Sequence, residues 1–403
     1  MAPGKKGAHV LIAGAGPVGM ISALVLAQAG IKVSVFERRN ELAEDLRAST
    51  FHPPTLDMIA RIDATLSADL HSQGLIARHT QFRDRKNGVI AQFDAEVLRG
   101  DTDHPYRLQC EQWKMTRLIR DRLAAFPDVT LSLEARVMGV EQDAGGVTLK
   151  IERDGAAETH RGDWLIGADG AWSAVRTALG IEFEGMTYPE RFYVASTTFD
   201  FAQHLEQLSL VNYVSDPDEW CVILRVPGMW RVLFPTRNDE ADDDVVSDAS
   251  TEARLQGVWQ KPGRYETIHR TIYPVHQRVA KSYRYGRVFL AGDAAHINNP
   301  IGGMGMNGGV HDALNLCDKL VRVSHGEDAA LLELYQRQRR QIAIDFINAN
   351  TARNKKNMEE RDPAARRRNQ DEMRRTADNP ELARAFMRKT AMIDALRASE
   401  TIQ

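Results

Sequence analysis

The opening of the chain alternates short apolar blocks of different period. His9 to Ala13 is a short apolar strand, Val18 to Ala29 has the apolar rhythm of a buried helix, and Lys32 to Phe36 is a second strand closed by Glu37, which together give βαβ spacing. A helix is predicted from about Thr55 to Leu70. Gln81 to Gly100 is polar and alternates in short pieces, as antiparallel strands do, and here the chain leaves its first domain. Trp113 to Ala125 has an amphipathic helical period; Val129 to Leu133, Ala135 to Gln142 and Val147 to Glu152 alternate like a meander, and Trp164 to Ala168 reads as a further buried strand. Between Arg191 and Thr236 aromatic and β-branched residues dominate, with turn signals at Asp216-Pro217-Asp218 and Pro227-Gly228, which predicts a second antiparallel sheet. Asp239 to Asp248 is expected as an acidic loop. Arg287 to Ala291 is a buried strand, followed by a glycine-rich loop and a helix from about Gly309 to Val323; beyond Glu327 the pattern is helical to the end.

At 403 residues the chain exceeds one ordinary core, and 43% hydrophobic with 27% charged residues is the composition of a globular protein. A formal net charge of −3 offers no electrostatic footprint for nucleic acid. Basic clusters at Arg366-Arg367-Arg368 and Arg374-Arg375 are interleaved with Glu359, Glu360, Asp362, Asp371 and Glu372, as on a solvated helix face. Cys110, Cys221 and Cys317 lie far apart in no C-x-x-C pair, so free thiols in a reducing cytoplasm are expected rather than a disulfide framework or a thiolate metal site. The apolar run from Val10 to Ala29 contains Gly14, Gly16, Pro17 and Gly19, which argues for a buried βαβ unit and against a signal peptide or an integral membrane segment.

Gly14-Ala15-Gly16-Pro17-Val18-Gly19 is G-x-G-x-x-G between a strand and a helix, where absent side chains let backbone N–H groups and the helix dipole approach a pyrophosphate. Glu37 follows Gly19 by 18 residues and places a carboxylate, with Arg38 beside it, at an adenosine ribose. Near the other end, Gly292-Asp293 sits in a tight turn after a strand, and Pro300-Ile301-Gly302-Gly303-Met304-Gly305-Met306-Asn307 opens a helix; Asp169-Gly170 lies at a third strand end between them. Three separated strand-end loops thus converge on one dinucleotide.

These segments, in this order, resemble the aromatic-hydroxylase branch of the FAD-dependent monooxygenases, the group related to 4-hydroxybenzoate hydroxylase. The resemblance runs from about His9 to Leu320, weakens in the sheet and thins in the tail. It implies an α/β fold with a discontinuous Rossmann-like FAD-binding domain at 1–73, 105–180 and 274–324, an inserted antiparallel sheet domain for substrate at 74–104 and 181–273, and a C-terminal helical region at 325–403. By the same resemblance Glu37 holds ribose, Arg47 meets the pyrophosphate, Gln112 is the flavin-side glutamine, Asp169 belongs to the D-G motif and Asp293 binds the ribityl chain. Backbone N–H groups of Gly305, Met306 and Asn307 face the pyrimidine edge of the flavin, and the carbonyl of Pro300 lines its oxygen-reactive face. Asn299-Pro300 departs from the Pro-Pro common in the family, and no sheet position can be matched to the family's flavin-contacting arginine.

The implied activity is hydroxylation of a phenolic or hydroxylated heteroaromatic compound through a flavin C4a-hydroperoxide, with O2 and either NADPH or NADH as co-substrates. FAD is expected to be noncovalent, and NAD(P)H to have no domain of its own. Residue chemistry adds three candidates of its own. His52 follows the Arg47 segment and reads either as a base or orienter toward a phenol or as a structural histidine. Arg231 shares a strand face with Leu233, so it is either a ligand or flavin partner or an outward-facing charge. His296 reads as a loop stabiliser before an acid or base. Tyr193, Tyr213 and Trp220 wall an aromatic pocket or pack the sheet. The alternatives kept are a non-catalytic escort on the same scaffold and another flavin oxygenation or halogenation; a Trp-x-Trp-x-Ile-Pro segment, which a halogenase would carry, is not found. Assembly as a homodimer is left open.

Overall fold

The computed structural model describes residues 7–44, 46, 48–237, 239–348 and 358–403. Strand His9–Ala13 is apolar and buried from Val10 onward because it lies in the middle of a parallel sheet covered on both faces. Its neighbours are Lys32–Phe36 and Trp164–Gly167, both parallel to it, and the sheet extends to Val129–Ser132 on one side and Val288–Leu290 on the other. Helix Pro17–Gln28 starts with proline at its first position, where the missing N–H costs nothing, and Gly16 as its cap. The predicted helix from Thr55 to Leu70 is two helices, Pro53–Ile62 and Ala64–Ser72; Asp63 ends the first in an extended conformation and caps the second, accepting from Thr65 and Leu66 N–H at 2.8 and 2.9 Å.

The predicted meander is corrected at both ends. Val129–Ser132 joins the parallel sheet, while Gly146–Arg153 pairs antiparallel with Arg136–Asp143 on one side and on the other with Ala156–Gly162, a strand whose small and polar residues hid its period. The second sheet has eight strands among the described residues. At its centre Phe183–Thr197 runs antiparallel to Met229–Arg237 and to Thr267–Ala280, and at its far side Val211–Ser215 pairs in parallel with His79–Asp84, so the polar segment before Gly100 completes this sheet. One face of it packs Tyr193, Trp230 and Phe234 under helix Asp248–Val258; the opposite face, bearing Phe192, Val211, Tyr213 and Val222, looks toward the parallel-sheet half. The expected acidic loop is broken by one helical turn, Asp242–Val245, and ends where helix Asp248–Val258 begins.

After Met304–Ser324 and Leu331–Ile342, the tail helices Pro363–Asp378, Pro380–Thr390 and Ile393–Thr401 dock beside the Gly88–Asp94 strand and cover the edge of the large sheet. Asp84 receives Arg366 at 2.7 Å and Gln370 at 3.1 Å, and Asp101 receives Arg384 and Arg397 at 2.7 Å each. Arg366 therefore leaves the solvated face expected for its cluster and becomes a docking contact. No helix among the described residues is long and apolar enough to cross a membrane.

Candidate active site

Between the two sheets lies a cavity of about 700 Å³. Its nucleotide end is built from backbone. Gly14 has φ +98°, and a Cβ there would stand 2.4 Å from the Ala168 carbonyl oxygen; a Cβ on Gly19 would stand 2.0 Å from the Gly14 carbonyl oxygen. These two glycines let strand, helix and the Asp169 loop close on one another. Gly16 differs: its Cβ would meet nothing within 4 Å, and Gly16, Pro17 and Val18 line the cavity. No side chain caps the helix that follows, so its first-turn N–H groups are left for a ligand. Glu37, half-buried at the end of its strand, accepts from Ala15 N–H at 2.9 Å and Arg39 N–H at 3.1 Å, and lines the cavity with the exposed Arg38. Arg47 lies outside the described residues.

The two remaining loops are tied to each other. Asp169 accepts from Ser173 Oγ at 2.5 Å and from Val175 N–H at 3.1 Å, and burial holds its carboxyl above the ordinary carboxylate range. Arg176 donates to the Ala171 carbonyl at 2.8 Å and to the Ala294 carbonyl at 2.9 Å, fastening the Asp169 loop to the Asp293 loop. Asp293 itself is exposed and lines the cavity. Beneath it Asp312 is fully buried and accepts from Gly292 N–H at 3.1 Å, His296 Nε2 at 2.7 Å and Arg339 Nε at 2.6 Å. Burial works against its charge, yet His296 and Arg339 outweigh burial and hold the carboxyl below its usual range. His296 is thus committed to loop architecture.

Helix Met304–Ser324 starts five residues earlier than predicted, from a left-handed Gly303 with φ +68°, and no side chain caps it. Gly305 and Met306 sit in its first turn and line the cavity. Asn307 is buried, and its side chain is spent on the scaffold: Oδ1 accepts from His52 N–H at 2.8 Å, and Nδ2 donates to Thr50 and Gly303 carbonyls at 2.8 and 2.6 Å. His52 is likewise fully buried and is not among the lining residues; its Nε2 donates to the Gly302 carbonyl at 2.9 Å. Burial, and then the charge of Arg107, push the His52 imidazole well below its ordinary value, so the ring stays neutral. Of its two expected roles this placement supports the structural one, as a strut behind the glycine turn. Pro300 lines the cavity, and its carbonyl accepts from Gly303 N–H at 3.0 Å.

From the large sheet Arg231 and Leu233 both face the cavity, and Arg231, buried, donates to Ser49 Oγ at 3.1 Å. Tyr213 also lines it; Trp220 packs behind that wall, and Tyr193 points to the opposite face, where its hydroxyl meets Thr251 Oγ1 at 2.5 Å. Gln112 lines the cavity at the start of helix Gln112–Leu123. The sequence reading missed Arg107, Asp312, Arg176 and Arg339. The last three act by burial, which no local motif announces; Arg107 had a signal in Arg107-Leu108-Gln109, where polar residues flank a buried leucine in a strand.

The arrangement fits FAD. Gly16 opens onto unfilled space, two uncapped helix starts point N–H groups into one cavity, and Asn298 Oδ1, beside the second of them, is a buried acceptor with no partner among the described residues. Comparison with known proteins agrees with this reading. The FAD binding domain family matches residues 7–350. The chain is 33% identical over 401 residues to para-nitrophenol 4-monooxygenase of Pseudomonas sp. strain WBC-3, covering 97% of each chain. It is 32% identical over 365 residues to 6-hydroxy-3-succinoylpyridine 3-monooxygenase of Pseudomonas putida, covering 88% of this chain and 90% of that one. A crystal structure of p-nitrophenol 4-monooxygenase from Pseudomonas putida matches with TM-score 0.90 at 31% identity, over 96% of this chain and 98% of that one. The glycine cradle, the paired loops and the roofing sheet are therefore the parts of a shared scaffold, and the chain belongs to the family of FAD-dependent aromatic monooxygenases.

Proposed function

We propose that the protein holds FAD noncovalently along the cleft and, with O2 and NADPH or NADH, hydroxylates a phenolic or hydroxylated heteroaromatic compound lodged under the large sheet. One observation carries this: the cavity that begins at the glycine cradle ends against Tyr213, Val222 and Leu224 of the sheet, so a single space serves both a dinucleotide and an apolar ring. Bound FAD supplies acceptance of a hydride from the nicotinamide and activation of dioxygen. The relatives named above act on a nitrophenol and a hydroxypyridine, which is the chemistry this wall suits.

The chain's own residues then have distinct tasks. Gly14, Gly16, Pro17, Val18 and Gly19 present backbone to the pyrophosphate, while Glu37 with Arg38 holds the adenosine ribose. Asp169 shapes its loop, Asp293 takes the ribityl chain, and Gln112 stands on the flavin side. The first-turn N–H groups of Gly305, Met306 and Asn307 favour negative charge at the pyrimidine edge through the helix dipole. Arg231, fixed at the sheet side by Ser49, serves the junction of flavin and ligand, and Pro300 borders the reacting face. The sheet roof keeps water from that face, which protects a reactive oxygen donor from wasteful breakdown. A cytoplasmic setting fits three buried free thiols.

The test is a screen of purified yellow protein against phenols, hydroxybenzoates and hydroxypyridines, following NAD(P)H consumption together with a product heavier by one oxygen atom. Acid precipitation should release the colour into solution. Colour retained in the precipitate would sink noncovalent FAD. Oxygenation of a ketone or sulfide, with no aromatic product across the panel, would replace ring hydroxylation with another monooxygenase reaction.

A further inference from the structure

Strand Arg107–Gln109 lies between Thr50–Phe51 and Leu75–Ala77 and is antiparallel to both. Leu108 packs into the main core, so strand alternation turns Arg107 and Gln109 to the opposite face. Arg107 stands directly across from Ala77, and partners across an antiparallel pair share a face. Ala77 packs with Phe192, Tyr213, Trp220 and Ile301 in the apolar cluster beneath the large sheet. The direction of Arg107 is thereby fixed toward the aromatic chamber and away from the nucleotide end.

Arg107 is 5% exposed and lines the cavity, and no hydrogen bond or ion pair to any described residue holds its guanidinium. A buried cation without a counter-charge is costly and calls for a ligand that supplies one. Among the described residues the chamber offers none of its own. The carboxylates among the described lining residues are Glu37, Asp169 and Asp293, all on the cofactor loops. The neighbouring His52 stays neutral and donates elsewhere. Two residues along the same strand face, Gln109 is fully buried; its Oε1 accepts from Thr50 Oγ1 at 2.8 Å, and its Nε2 finds no acceptor among the described residues. One face of one short strand thus presents a charged fork and an amide donor with no acceptor to match them.

We propose that Arg107 is the specificity-determining residue that binds an anionic oxygen group of the aromatic substrate, so that the enzyme selects ring compounds carrying a negative charge. This rests on the chamber being the substrate site, as argued above. Two sources share that chemistry, a ring phenolate and a carboxylate substituent. The guanidinium suits either, since it donates two parallel N–H bonds to a carboxylate or converging ones to a single oxygen.

The experiment uses the FAD-loaded enzyme and steady-state kinetics with three groups of substrate: phenols of low pKa without a carboxylate, hydroxybenzoates, and neutral phenols. In Arg107→Gln, KM for the anionic groups should rise about 10–100-fold while KM for neutral phenols stays within about twofold. Arg107→Lys should recover part of the loss. With the wild type, KM for a low-pKa phenol should fall as pH rises through that phenol's own pKa, and Arg107→Gln should flatten this dependence. A loss confined to hydroxybenzoates assigns the carboxylate as the bound group, and a loss shared by low-pKa phenols assigns the phenolate. A binding titration of the wild type needs no variant: benzoate should bind at least about tenfold tighter than benzamide. Equal losses for charged and neutral substrates, equal binding of benzoate and benzamide, or loss of FAD from Arg107→Gln would each overturn the assignment while leaving wild-type hydroxylation intact. A wild type that hydroxylates no phenol would instead overturn the functional reading on which the assignment rests.

Discussion

The two ends of the cleft are made by different means. At the nucleotide end the contacts belong to backbone: glycines at close approach, uncapped helix starts, loops clasped by Arg176. At the sheet end they belong to side chains: Tyr213, Leu224, Leu233 and two buried arginines. Where backbone meets backbone, as at Gly14 and Gly19, few residue types are admitted, because a Cβ collides. A side-chain chamber can be repacked by many, since hydrophobic residues of similar volume substitute at modest cost. One end therefore tolerates little substitution, and the other can be repacked.

The largest effect should come from putting a side chain where backbone meets backbone. Gly19→Val would force its Cβ onto the Gly14 carbonyl oxygen, 2.0 Å away, and should give protein that is colourless or insoluble. The conservative change Leu233→Met in the sheet should keep FAD and cost less than about 1.5 kcal/mol. Flavin absorbance per chain checks both, and a yellow, stable Gly19→Val would break the contrast.

Next comes the buried brace. Arg339→Met leaves Asp312 without its cation beneath the Asp293 loop, and should destabilise the fold by about 3–5 kcal/mol in chemical denaturation. Asp293→Ala, on the cavity side of the same loop, should spare the fold and weaken FAD binding by about 1–3 kcal/mol, read as a raised dissociation constant. If both variants lost FAD and stability together, the distinction between brace and contact would fail.

The last effect, about 2 kcal/mol between pH 6.5 and 5, concerns pH at the joint between the ends. His311, bonded to Thr55 Oγ1 at 2.9 Å, is pushed down to about 3 by burial and then by the nearby Arg339 charge. Its folded pKa lies below the unfolded value, so the unfolded chain binds the extra proton first. Stability on this account falls as pH drops below about 6.5, by about 1.4 kcal/mol per pH unit, and stops falling only near the folded value. His311→Asn should lessen that slope between pH 6.5 and 5; an unchanged slope would remove His311 from the acid response.

The same contrast explains what could be read from residues alone. Gly14 and Gly19 announce their place because a Cβ at either would collide with backbone, Gly16 completes the motif beside open space, and the two other loops carry Gly170 and Gly292 at positive φ, which favours glycine. His52 reads from the sequence either as a base or orienter or as a structural histidine, and its bond to the Gly302 carbonyl, 250 residues later in the chain, supports the structural reading. Arg107 signalled only its strand, through Arg107-Leu108-Gln109, because its place at the chamber depends on Ala77 across the strand pair and on the cluster Ala77 joins. Strand Ala156–Gly162 was hidden by its own polarity, and Arg366 was taken for solvent-facing until Asp84 stood opposite it.

On the proposed function, one cavity brings dioxygen chemistry and an aromatic ring together. This is tested most directly by supplying isotopically labelled dioxygen to the FAD-loaded enzyme with NADPH or NADH and an acidic phenol. One labelled oxygen atom is expected in a hydroxylated aromatic product, in step with NAD(P)H oxidised. Hydrogen peroxide as the sole oxygen product across the whole phenol, hydroxybenzoate and hydroxypyridine panel, or product oxygen drawn from water, would contradict it.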